Sequence, residues 1–190
     1  MTIHRIRLLG DPILRTMCEP VANPKSPAAR LVAEDLRETL LDLQARRGIG
    51  RALAAPQIGA PIRLIHMHVD EPVWLFNPDI LDVGDEDFLV WDDCFSFPDL
   101  MVQVQRAYKI TVEYTDQRGN KKIIHADGAL AELLQHEIDH LDGVLAVDRA
   151  AGLDPYCLRE EWNKHYGEIS RCGQPVARSE PFVVEAVGVS

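Results

Sequence analysis

The sequence predicts an α+β fold in one domain, with mainly antiparallel sheet packed around a central metal-binding helix. Three observations predict it. A long helix with both ends written into the sequence comes first, at 26–48. A series of short strand-like runs follows, joined by connections too brief to hold crossover helices, so neighbouring strands must run antiparallel. Then comes a second helix, which carries two histidines four residues apart. At 190 residues the chain suits one well-buried core better than two.

The first helix opens at Ser26, whose hydroxyl can cap the first turn, followed by Pro27 where a missing N–H does no harm. Val32, Leu36, Leu40 and Leu43 form its apolar stripe, and Gly48 can close it in a left-handed conformation. From Pro61 to Val69 the residues alternate as in a strand, with Ile65, Met67 and Val69 on one face. His66 and His68 share the other face; with no third ligand close by, they read as plain strand surface rather than a metal site. Shorter runs follow at Val73–Phe76, Phe88–Trp91, Met101–Gln105 and Ala107–Thr115. The turn cluster Asp116 to Asn120 leads into Lys121 to His125 and completes a hairpin. The second helix spans about Gly128 to Leu141 and ends near Gly143; a third starts at Asp154-Pro155 and stops near Gly167. The catalytic domain is therefore expected at 1–169, with 170–190 as a C-terminal tail rich in Pro, Gly and small residues.

Composition narrows the function. With 30 acidic against 20 Lys and Arg residues, the net charge of -10 opposes a nucleic-acid partner, which needs clustered positive charge. Met1 to Gly10 lacks the apolar stretch of a signal peptide, and no run is long enough to span a membrane, so the expected location is cytoplasmic. Four scattered cysteines make no disulfide framework, which leaves each as core filler or as chemistry.

Chemistry concentrates in three segments. Gln135-His136-Glu137-Ile138-Asp139-His140 contains His-Glu-x-x-His on a predicted helix. Residues four apart lie on one face, so both imidazoles reach one metal. Glu137 then projects near the ion without binding it, placed to take a proton from water that the metal has acidified. A catalytic metal needs a third protein ligand. Asp142, Asp148, Glu160 and His165 lie downstream; upstream, Cys94 stands in Trp91-Asp92-Asp93-Cys94-Phe95-Ser96-Phe97-Pro98 and would bind as thiolate. The third segment, Gly50-Arg51-Ala52-Leu53-Ala54-Ala55-Pro56-Gln57, has small residues that allow another backbone to approach. Its Gln57 can donate an amide hydrogen bond to an oxyanion.

Together these segments resemble the peptide deformylase family, whose ordered motifs are Gly-x-Gly-Leu-Ala-Ala-x-Gln, Glu-Gly-Cys-Leu-Ser and Gln-His-Glu-x-Asp-His. The third motif matches in full and continues through Leu141-Asp142-Gly143-Val144-Leu145. Asp11-Pro12-Ile13-Leu14-Arg15 and Thr111-Val112-Glu113-Tyr114 also look like the family, so the resemblance covers roughly residues 5 to 150. It implies that Cys94, His136 and His140 hold one divalent metal, usually Fe²⁺, with Zn²⁺ or another divalent ion able to substitute. It implies that Glu137 is the general base, and that Gln57 and the Phe95 backbone N–H stabilise the oxyanion. Gly50, Arg51 and Ala52 would pair with an extended substrate, with Glu132 and Leu133 beside it. The implied substrate is a nascent polypeptide beginning with formyl-methionine, met at the ribosome.

Departures from the motifs are Ala52 for Gly, Asp92 for Glu, Asp93 for Gly and Phe95 for Leu. Asp92 and Asp93 would set two extra negative charges beside the dication, and Asp93 would crowd the incoming peptide. Such changes favour an alternative, a deformylase-like hydrolase acting on another N-acylated peptide or small molecule. A protein with a purely structural metal would need neither Glu137 nor Gln57, and an endopeptidase of the zincin type would need a clearer downstream ligand.

Overall fold

The computed structural model describes residues 2–166 and 176–177. The first helix, α1 (Pro27–Arg47), is capped as the sequence predicts. Ser26 accepts from the Ala29 N–H, and Gly48 closes the helix at φ 69°. Strands β1 (Ala52–Ala54), β2 (Leu64–His68), β3 (Pro72–Val83), β4 (Glu86–Asp93), β5 (Leu100–Ala107), β6 (Lys109–Thr115) and β7 (Lys121–Asp127) follow. The second helix, α2 (Gly128–Leu141), has the expected bounds. After it come β8 (Tyr156–Leu158), α3 (Arg159–His165) and β9 (Val176–Ala177).

Two antiparallel sheets result, one ordered β1-β2-β3-β6-β7 and the other β8-β5-β4-β9. Helix α2 packs between them, touching β1, β2, β6 and β7 of the first and β5 of the second. Its Leu134, Ile138 and Leu141 join Ile65, Met67, Leu75 and Val112 in one core cluster. On the opposite face of the first sheet, α1 sets Leu36, Leu40 and Leu43 against Leu53, Leu64 and Phe76. A third cluster, built on Leu14, Phe88, Val102 and Val104, lies on the second sheet. Among the described residues no helix is long and apolar enough to cross a membrane.

Two strand expectations need correction. The third strand does not stop at Phe76 but runs on through Asn77-Pro78 to Val83, with register shifts against β6 between Phe76 and Asp79 and between Ile80 and Asp82. Asn77 has φ 49°, and its side chain bonds both the N–H and the C=O of Val21, so a residue that reads as a breaker works as a bulge. The third helix begins later than Asp154-Pro155, because Tyr156–Leu158 first pairs with Leu100–Val102 as β8. The tail at 170–190 and the helix stop at Gly167 lie outside the described residues, apart from Val176–Ala177.

His66 is the other correction. It is no surface residue: α1 covers that face of the sheet, and His66 is fully buried with its ring 4.8 Å from Trp74. Neither ring nitrogen meets hydrogen-bond geometry with a partner. Burial, helped by nearby His68 and Arg37, pushes its pKa down to about 4. The imidazole is therefore neutral in the folded state, while the unfolded chain binds a proton below about pH 6.5. Its contribution is fully present above that pH and declines as pH falls toward 4. The loss should approach about 3 kcal/mol at the low end. Urea unfolding of the wild type and of His66→Leu at pH 7 and pH 4.5 checks this. The variant should show the smaller acid loss, and equal losses in both proteins would refute the assignment.

Candidate metal centre and catalytic site

The Cys94 Sγ and one nitrogen each of His136 and His140 lie within 4.8 Å of one another, and all three residues are buried. Cys94 comes just past the end of β4, in a tight turn that the Phe97 N–H closes onto the Cys94 C=O at 3.1 Å. Its sulfur is 3.2 Å from His140 Nε2. The Ser96 N–H and Gln57 Nε2 both point at that sulfur, each at 3.4 Å, as suits a thiolate. The two histidines project from adjacent turns of α2, with ring centroids 4.9 Å apart. The downstream acids and His165 are engaged elsewhere. Asp142 pairs with Arg63, Asp148 with Arg15, Glu160 with Lys164 and His165 with Glu161.

A buried lattice of charges aims His136. Asp92 accepts from His136 Nδ1 at 2.9 Å, so the other ring nitrogen is presented to the ligand cluster. Arg106 of β5, itself buried, bonds Asp92 at 3.0 Å and also Asp139 of α2. Arg149 grips the same Asp139 through two nitrogens, at 2.6 and 2.7 Å. Burial would raise the Asp92 pKa, but His136 and Arg106 outweigh it and hold that carboxyl below the usual carboxylate range. Asp92 is thus already compensated and is no loose charge beside the ion. Asp93 pairs with Arg159 of α3 at 2.8 Å, and both residues line the cavity described below. The expected effect of Asp92 is therefore revised, whereas Asp93 stays at the edge of the space a peptide would enter.

Glu137 is buried beside His136, and its Oε2 makes no hydrogen bond among the described residues. Burial first, with Asp92 and Glu132 adding to it, pushes its carboxyl up to about 7 despite the opposing pull of His136. An orphaned, buried carboxylate oxygen next to a cluster of one cysteine sulfur and two imidazoles fits a site that takes a divalent ion and a water. The donor set is right for Fe²⁺ or Zn²⁺. Gln57 is held by its carbonyl end, which accepts from the Ala54 N–H at 2.9 Å. That fixes its amide nitrogen toward Cys94 and the Ser96 hydroxyl, 3.3 Å away.

These groups face a cavity of about 530 Å³, lined by Gly50, Arg51, Ala52, Cys94, Phe95, Glu132, Leu133, His136 and Glu137 among others. Gln57 lines it too, whereas His140 lies behind the lining and meets the others through Cys94. Gly50 is needed on conformational grounds. Its φ is 131°, and a Cβ there would sit 2.8 Å from the Phe95 ring. Ser96, Arg106, Asp139 and Arg149 were missed as site residues. Arg106 left one signal, a guanidinium in an otherwise buried strand, which demands a buried acid as partner.

Known proteins are similar to this chain in sequence and in fold. The sequence profile described as polypeptide deformylase matches residues 3–156. The peptide deformylase of Rhizobium meliloti is 41% identical over 154 residues, covering 78% of this chain and 85% of its own. That of Natranaerobius thermophilus is 41% identical over 152 residues, covering 79% and 94%. In structure, the chain superposes on the Thermotoga maritima peptide deformylase with a TM-score of 0.73 at 35% identity, covering 80% of this chain and all of that one. The Synechococcus elongatus peptide deformylase, solved in complex with actinonin, gives a TM-score of 0.72 at 31% identity, covering 85% and 82%.

Proposed function

The chain belongs to the polypeptide deformylase family, and on that premise we propose how its own residues remove the formyl group from formyl-methionine at the N-terminus of nascent polypeptides. It is a metal-dependent hydrolase of linear amides that acts on formylated nascent peptides. The observation that carries the assignment of roles is the clustering of the Cys94, His136 and His140 ligand atoms at the wall of a cavity that Glu137, with its orphaned oxygen, and the anchored Gln57 also line.

In this reading Cys94, His136 and His140 hold the ion. The chemistry that such an ion would supply there is Lewis acidity toward water and the formyl oxygen. Glu137 Oε2 accepts the proton from the attacking water and hands it to the amine that leaves. Gln57 Nε2 and the Phe95 backbone N–H donate to the oxygen that becomes negative. Strand β1 pairs on one side with β2 and adjoins the cavity on the other, which supports strand addition by the peptide along Gly50, Arg51 and Ala52. We assign Fe²⁺ as the native ion, with Zn²⁺ able to substitute. We place the catalytic unit in residues 1–169 and the reaction in the cytoplasm, on chains leaving the ribosome.

The test is formate release from a formyl-Met peptide by iron-loaded protein prepared without oxygen, with the acetyl-Met peptide as control. About one metal ion per chain should be found, and chelation should remove both metal and turnover. Turnover of the acetyl peptide alone would favour the alternative, a hydrolase of other N-acyl groups. Undiminished turnover in metal-free protein would refute the reading outright.

A further inference from the structure

One wall of the cavity is ionic. Glu132 lies one helical turn before His136, so it faces the same space as the ligands, and it is buried. Arg51 Nη2 bonds Glu132 Oε2 at 2.6 Å, and Arg51 Nη1 donates to the Ala129 C=O at 3.0 Å. The two partners differ in exposure: the Glu132 side chain is 6% exposed, whereas that of Arg51 is 40% exposed. Arg51 thus has solvent on one side to turn into if a ligand replaces it, while the Glu132 carboxylate is enclosed in the wall. Since Arg51 engages Oε2, Oε1 is left to meet a ligand. Leu133, Phe95 and Ile49 supply the apolar remainder of the lining.

With the formyl group at the ligand cluster and the peptide backbone along Gly50, Arg51 and Ala52, as proposed above, the first side chain is assigned to this part of the cavity. A purely aliphatic side chain finds no partner for Glu132 there. One ending in N–H or a positive charge gains a bond to a desolvated carboxylate, and a site built around such a bond discriminates against analogues lacking it. We propose that Glu132, with Arg51 as its displaceable partner, is a specificity-determining residue that shifts this enzyme toward formyl peptides whose first side chain donates hydrogen bonds. The proposal rests on the deformylase reading above and names the substrate class of that site.

The experiment compares kcat/KM for formyl-Xaa-Ala-Ser peptides with norleucine, glutamine or lysine first, using metal-matched wild type, Glu132→Leu and Glu132→Gln. In Glu132→Leu, the efficiency on lysine and glutamine relative to norleucine should fall at least about tenfold, mainly through KM. Glu132→Gln preserves shape; it should keep the relative efficiency on glutamine but lose that on lysine, and it carries the test if Glu132→Leu does not fold. Ratios within about twofold of wild type in both variants overturn the proposal, while turnover of the norleucine peptide leaves the deformylase reading standing. Absence of formate release from every peptide by the wild type overturns both.

Discussion

Glu137→Gln should leave fold and metal content intact and lower turnover on a formyl peptide by two to four orders of magnitude, the scale of a lost general base. The substitution isolates proton transfer because it changes almost nothing else. Gln has the shape of Glu, and Oε2 of Glu137 has no hydrogen bond among the described residues to lose. Position 137 is not among the three ligand residues, so the ion should stay. What vanishes is the ability to accept a proton next to the ion. A carboxamide cannot do so, and the leaving amine then departs without its proton donor as well. The measurement is kcat by formate release, with metal content and melting temperature matched to the wild type. Near-normal turnover in a metal-loaded variant would remove Glu137 from the role of base.

Much of the fold could be read wherever a local rule and the tertiary environment agree. Helix α1 was legible because Ser26, Pro27 and Gly48 punctuate it and its stripe faces the core. Helix α2 was legible from its motif and apolar run. Legibility failed where long-range pairing overrode local signals. Tyr156–Leu158 becomes a strand only because Leu100–Val102 offers an edge, and nothing near Asp154-Pro155 reports that. Asn77-Pro78 looks like the end of a strand until Val21 arrives to satisfy the Asn77 side chain. His66 reads as surface because alternation assigns a residue to a face but does not say what covers that face; here α1 does.

The site shows the same division. His136, Glu137 and His140 stand out from residue type and spacing, whereas Cys94 stands out only through the family resemblance; the fold brings Cys94 and the two imidazoles into one cluster. The charges behind them were not legible. Asp92 and Asp93 are adjacent and alike in sequence, yet β4 turns them to opposite sides, one onto His136 and Arg106, the other onto Arg159. Their effect depends on arginines 14 and 66 residues away along the chain, which no local pattern announces. A shorter Asp in place of the family's Glu still reaches the imidazole, so this departure preserves the aiming of His136 rather than weakening it.

Gln57→Ala should lower kcat by about 10²- to 10³-fold, equivalent to about 2.7–4 kcal/mol of barrier, and leave KM much less affected. The reason lies in which end of the amide is fixed. The carbonyl end accepts from the Ala54 N–H, so the amide nitrogen cannot turn away from Cys94 and the space beside it. A donor fixed before substrate arrives interacts weakly with a neutral carbonyl and strongly with the oxyanion that develops from it, so its loss is felt chiefly at the transition state. The same substitution strips the Ala54 N–H of its partner in a buried strand, and a stability loss of about 1–3 kcal/mol should accompany it. The two effects separate by measurement. Melting temperature reports the second, and kcat on metal-loaded protein well below that temperature reports the first. If only KM rises while kcat stays near wild type, Gln57 binds the ground state, and the oxyanion must be stabilised by the ion and the Phe95 N–H alone.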